Sequence, residues 1–197
     1  DADKGSTEGD QANIKAIDNF THTPTNNFVA ALWTGYFTGI AKSNQALKAL
    51  ETAKIDEELR QQYIGEVRFI RAYYYFTLTR WFGKLPRVLT VPNSAQEANS
   101  DPVYQTRASV DDIYSLIIED LNFSIANLPV RSGIQVGRIS KGTAQSMLAK
   151  VYLTRKEWQK SYDLCQEVIN SGQYSLLPDY SQIWRQEGDN SVESIFE

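Results

Sequence analysis

The chain has 197 residues, 20 basic and 24 acidic, for a net charge of −4, and 42% of it is hydrophobic. That is enough for one core-bearing domain or one and a half, and the interspersed charges leave no basic footprint for nucleic acid or anionic lipid. The single cysteine, Cys165, excludes an intrachain disulfide framework and any multi-cysteine metal site, and no stretch approaches the roughly 18 apolar residues of a membrane span.

Residues 1–25 are polar, with Gly5, Gly9, Pro24 and several Thr and Asn. They contain no signal-like apolar run and are expected to be irregular. A first helix, from about Asn26 to Thr52, would bury Val29, Leu32, Tyr36, Ile40, Leu47 and Leu50. Asn44 interrupts that face, and a buried amide needs partners, so it is expected to bond a neighbouring turn. A second helix, from about Glu57 to Phe82, carries two apolar stripes. Tyr63, Val67, Ile70, Tyr74, Leu78 and Trp81 form one, and Phe69, Ala72, Tyr73 and Phe76 form the other. Such a helix has to be covered on both sides, inside a multi-helix stack. Gly83 and Pro86 stop it and lead into an extended run, Leu85 to Val91.

The connection over residues 83–108 has a polar, aperiodic middle, Pro92 to Pro102, expected on the surface. Ser109-Val-Asp-Asp112 reads as a capping box. It opens a third helix through Ile113, Ile117, Leu121 and Ile125 that ends before Pro129. The carboxylates Asp111, Asp112, Glu119 and Asp120 are placed on its solvated face. Ser140 can cap a fourth helix, about Lys141 to Thr154. A fifth follows from about Glu157 to Ser171, with Gly172 placed to cap its end.

Arg155-Lys156 is too short a link for anything but antiparallel neighbours. Leu148-Ala149-x-x-Tyr152 followed by Ser161-x-x-x-Cys165 matches a tetratricopeptide repeat, with Ala149 and Ser161 as the small residues where its two helices cross. The fit is partial, because Gln145 stands where the pattern expects Trp. Ala72-x-x-Tyr75 repeats the small-x-x-Tyr spacing, which pairs helix two with helix three across the long connection. Helix one is then a B helix whose A partner lies upstream. The fold class is therefore all-α, built of tetratricopeptide-like antiparallel pairs with long surface loops. Trp33 and Trp81 are expected in the core, and Trp158 and Cys165 on the side of helix five facing helix four. The aromatic surface of helix two exceeds what five helices can cover, so an exposed apolar patch is expected.

No catalytic constellation appears. The one histidine, His22, would have to serve any Ser-His-Asp or Cys-His arrangement, and no elbow motif accompanies it. No carboxylate pair is marked for glycoside chemistry. Phosphate-loop and metal-ligand spacings are absent, and no cofactor is implied.

Four blocks resemble the SusD/RagB family of nutrient-binding outer-membrane lipoproteins. They are Trp33-x-x-Tyr36-x-x-Gly39-Ile40-x-x-x-Asn44; Glu66-x-Arg68-Phe69-x-Arg71-Ala72-Tyr73-Tyr74-Tyr75-Phe76 running to Phe82-Gly83-x-Leu85-Pro86; Ser140-Lys141-Gly142-x-Ala144 with Leu148 to Leu153; and Val168 to Gly172 with Tyr174 and Leu176, ending at Glu193-Ser194-Ile195-Phe196-Glu197. Asp1-Ala-Asp-Lys-Gly5 is similar to an Asp-rich segment of some members. Family chains are longer, so this chain is expected to be an internal piece of a larger SusD-like fold, without the leader, the lipidated cysteine and the first helix.

The resemblance implies a non-enzymatic protein that binds an oligosaccharide or similar nutrient and sits as a lid on a SusC-like TonB-dependent transporter. It implies a surface-exposed lipoprotein of the cell outer membrane, held only by a lipid anchor that this chain lacks. In the family, glycan contacts come mostly from loops, including residues ahead of the first block. The candidate ligand-binding residues are accordingly Asp18, Asn19, Phe20, Thr21, His22 and Asn26, a polar segment with one aromatic ring. The repeat spacing alone would suggest a peptide-docking module instead. Such modules line their concave face with Lys, Arg and Asn, where this chain has Tyr and Phe.

Overall fold

The computed structural model of the protein describes residues 12–196. Its long helices begin and end where local chemistry satisfies their free backbone groups. A short helix, α1 (Ala12–Asp18), precedes α2 (Asn27–Thr52). Asn26 caps α2, its Oδ1 accepting from the backbone N–H groups of Phe28 and Val29 at 3.0 and 3.3 Å. Asp56 caps α3 (Glu57–Phe82) in the same way. Gly83 closes α3 at φ 71°, a left-handed conformation that suits glycine, with its N–H donating to Thr79 O. Capping boxes Ser109/Asp112 and Ser140/Thr143 open α6 (Val110–Asn127) and α7 (Lys141–Thr154). The last helix is α8 (Trp158–Asn170), and Gly172 follows it at φ 66°.

Three helices were not expected. The segment taken as irregular contains α1, while residues 1–11 lie outside the described residues. The long connection holds two short helices, α4 (Ala95–Ser100), capped by Ser94, and α5 (Pro102–Gln105), capped by Asp101. Its ends are clasped by one antiparallel bridge, Ala108 N–H donating to Leu85 O at 2.8 Å.

The stack runs α2, α3, α6, α7, α8, each helix packed on the next. Helix α3 sits between α2 and α6 and buries Phe69, Ala72, Tyr75, Phe76 and Leu78 against Ile40, Ile113, Ile117, Leu121, Leu148 and Val151. The pairing of helix two with helix three, and of four with five, is present. At the α7–α8 crossing Ser161 Oγ donates to Ala149 O at 2.9 Å, and both residues are buried. Trp33 packs as expected, 4.6 Å from the Phe37 ring and 5.1 Å from Phe82. Trp81 does not. It is 56% exposed, although Leu78, Thr79 and Phe82 in the same last turn of α3 face inward. Trp158 and Cys165 are exposed as well, because the apolar seam of α8 against α7 is formed by Val168 and the half-buried Leu164 beside Ser161.

Of the four carboxylates placed on the solvated face of helix three, Asp111, Asp112 and Glu119 are exposed, but Asp120 is completely buried. Arg71 holds it in a bidentate pair, Nε donating to Oδ2 and Nη2 to Oδ1, each at 2.8 Å. Arg71 Nη1 donates to Asn44 Oδ1 at 2.9 Å, and Asn44 Nδ2 donates to Val88 O at 3.1 Å. The Tyr75 hydroxyl accepts from Val88 N–H at 2.8 Å and donates to Val88 O at 2.9 Å. These four side chains thus tie α2, α3 and α6 to the extended segment after α3. Burial pushes the Asp120 carboxyl up, against the pull of Arg71's hydrogen bonds and charge, and burial pushes the Tyr75 phenol up to about 12.

Candidate functional site

The candidate residues lie on and after the end of α1. Phe20 N–H donates to Ile17 O at 3.1 Å and Thr21 N–H to Ala16 O at 2.8 Å. That pair of bonds closes a helix with a residue in the left-handed region. Here the residue is Phe20, at φ 55°. Glycine ordinarily occupies such a position, and a bulky side chain there is strained by roughly 1 kcal/mol or more. The strain is not repaid by packing, because Phe20 is 90% exposed.

The flanking polar groups are open. Asn19, Thr21 and His22 are exposed and Asp18 is half-buried. Apart from a long 3.5 Å contact from Thr21 Oγ1 to Ala16 O, their side chains take no described hydrogen bond or ion pair. The turn therefore presents one bare ring beside a carboxylate, an amide, a hydroxyl and an imidazole. Asn26 differs from the other five. It is 3% exposed, and besides capping α2 it donates from Nδ2 to Asn13 O at 2.8 Å. It fixes the turn against α2 rather than offering groups to a ligand.

A second surface feature is the uncovered face of α3. The Tyr36 and Tyr74 rings meet edge-on at 5.5 Å and Tyr73 lies 6.0 Å from Tyr74. A groove of about 800 Å³ runs from there past Phe69, Ile70 and Met147 to Phe196, whose ring lies 5.9 Å from that of Phe69. This is the apolar patch expected from the sequence. Among the described residues, no three His, Cys, Asp or Glu side chains gather as a metal site, and no helix is long and apolar enough to cross a membrane.

Residues 3–153 match the model of a SusD-like family described as starch-binding and associating with the outer membrane. The chain belongs to the SusD-like family. SusD-like protein P2 of Formosa agariphila is 31% identical over 90% of this chain, and a SusD-like protein of Bacteroides ovatus is 28% identical over 89% of it. The matches span 35% and 34% of those two relatives, so this chain accounts for about a third of their length. A solved laminarin-binding SusD-like protein, 33% identical, superposes with a TM-score of 0.84 over 96% of this chain and 41% of its own. The all-α architecture is thus that of a fragment of the larger SusD-like fold.

Polarity and one aromatic ring single out this turn in the sequence. Neither the left-handed conformation of Phe20 nor the capping role of Asn26 is legible there, because a cap amide and a ligand amide look alike in sequence.

Proposed function

We propose that this chain is part of a non-catalytic, cell-surface saccharide-binding protein. It captures an oligosaccharide or similar nutrient at the outer membrane, where the protein is held as a lipoprotein, and passes it to a SusC-like TonB-dependent transporter. The observation that carries the saccharide reading is the Phe20 turn. A strained, exposed aromatic ring between polar side chains that have no described partner suits the alternating apolar and hydroxylated surface of a sugar. Asp18, Asn19, Thr21 and His22 supply the hydrogen bonds, and Phe20 stacks on the C–H face. The solved relative that binds laminarin supports the ligand class.

A peptide-docking module has less in its favour. The groove beside Tyr73 and Tyr74 has Lys150 as the one basic residue among its described lining, and peptide termini call for more cationic and amide groups.

The test uses the full-length protein with laminarin as probe, by calorimetry and by chromatography of the recovered glycan. Binding is expected at modest affinity, since one ring and a few polar groups bury little area. Phe20→Ala and His22→Ala should weaken it with helical content unchanged. Shortened laminarin chains after incubation would overturn the non-catalytic reading. Undiminished binding by the double variant would remove the turn from the site.

A further inference from the structure

The last described residues are tied to the stack at several points. Arg131 Nη2 donates to Asn190 O at 2.9 Å and also to Ser191 O. Ser175 N–H donates to Val192 O at 3.2 Å, Leu177 N–H to Glu193 Oε2 at 2.8 Å, and Thr143 Oγ1 to Ile195 O at 2.9 Å. These bonds steer the backbone onto α7 and deliver it, at Phe196, into the groove on α3. The Phe196 ring meets Phe69 there at 5.9 Å, yet it stays 52% exposed. Two apolar side chains, Ile195 and Phe196, thus reach the groove without filling it.

The groove does not stop at Tyr73 and Tyr74. On their other side it continues as a second apolar hollow of about 480 Å³ over α2, floored by Ala31 and Gly35. Gly35 has open space where a side chain would stand, so another backbone can approach closely. The Tyr74 ring is set against Gly39, where any Cβ would collide with it. The result is one preformed trough across α7, α3 and α2, entered at its α7 end by the chain itself. Lys150 and Glu193 are the charged residues of its described lining, so its surface suits coverage by protein.

We propose that this trough seats the protein's own chain beyond Glu197, which crosses α7, α3 and α2 in turn and covers Ile70, Tyr73 and Leu32. Two observations select this occupant over a free partner. The relatives match over 35% and 34% of their lengths, so such proteins carry much more chain than this stack. The tethering of residues 190–195 then gives a segment that follows them an effective concentration that is roughly millimolar, against which any free peptide or second copy has to compete. The proposal does not depend on the Phe20 turn.

The experiment uses the full-length protein with Cys165→Ser as background. Ile70→Cys and Tyr73→Cys are introduced singly, and their maleimide labelling is compared with that of the same variant unfolded in urea. Both should label at least about tenfold more slowly when folded, as positions that react only on local opening, and dilution should not change the ratio. Tyr73→p-benzoylphenylalanine should, on irradiation, form a cross-link within one chain to residues beyond 197. Labelling of both positions at close to the unfolded rate would leave the trough open and overturn the proposal. Protection lost on dilution, or a cross-linked dimer, would give the face to a second copy and overturn it too. A cross-link to residues before Ala12 would do the same. Ile70→Cys keeps the test valid if the Tyr73 variants do not fold. Phe20→Ala should change none of these readings, which separates failure here from failure of the turn.

Discussion

The polar residues at the centre of the stack and those at the turn after α1 are treated in opposite ways. In the centre, Asn44, Arg71 and Asp120 are buried and bonded to one another or to Val88, across helices far apart in sequence. At the turn, Asp18, Asn19 and His22 lie beside a ring that the described residues leave 90% exposed. Buried polar groups specify structure because each demands a partner in one geometry. Exposed groups with no described partner, on a backbone held in a strained conformation, specify little about the fold. The contrast sets the scaffold apart from the turn proposed to bind ligand.

The largest expected effect lies in the centre. Asp120→Ala strands the buried Arg71 cation and removes two of its three described bonds. Breaking one side of such a pair costs about 3–5 kcal/mol, which urea denaturation would read directly. Replacing both partners, Arg71→Met with Asp120→Leu, should restore most of the loss, because an apolar pair needs no partner. A single variant as stable as the parent would show that the centre is no more a specifier than the turn.

Tyr75 sharpens the same comparison through pH. Its phenol rises from 10.0 to about 12 in the folded chain, so the folded state holds the proton more tightly than the unfolded one. The stabilisation is therefore complete below the unfolded value and is lost as pH climbs through the folded one. Over that alkaline window the loss should be about 2–3 kcal/mol. Tyr75→Phe should flatten the profile while lowering stability at neutral pH, since Val88 N–H then has no described acceptor. An unchanged alkaline slope in that variant would assign the transition to other groups.

What was legible in the sequence was local. Ser109 with Asp112, Ser140 and Gly83 are signals whose chemistry works within a few residues, and the Ala149–Ser161 crossing lies within one helical hairpin. Asn44 was legible too, as a polar break in an apolar face whose partner had to be a nearby turn, and Val88 supplies it. Asp120 was not. A carboxylate next to Leu121 looks solvated until Arg71, 49 residues earlier, is brought against it. Trp81, Trp158 and Cys165 were misplaced because residue type suggested burial at positions that fall just off the packed stripes. Composition singled out the Phe20 turn as a candidate, but its strain was hidden. Asn19 is the residue type that tolerates the left-handed region better, and the structure puts Phe20 there instead.

The smallest effect decides what that strain is for. Phe20→Gly places at the left-handed helix end the residue that suits it, relieving the side-chain penalty. Part of the gain is offset because glycine leaves the unfolded chain more freedom. The net should be a stabilisation of about 0.5–1 kcal/mol, read as a small rise in the urea midpoint. Laminarin binding by the full-length protein should fall at the same time, because the ring is gone while α1 still ends at the same turn. Stability gained with binding lost would mark Phe20 as a residue kept against local preference for its contact with ligand. A loss of both would mean that the ring packs against some further part of the protein and belongs with the scaffold. In that case the open polar groups of the turn, Asp18, Asn19 and His22, would have no aromatic platform to work with.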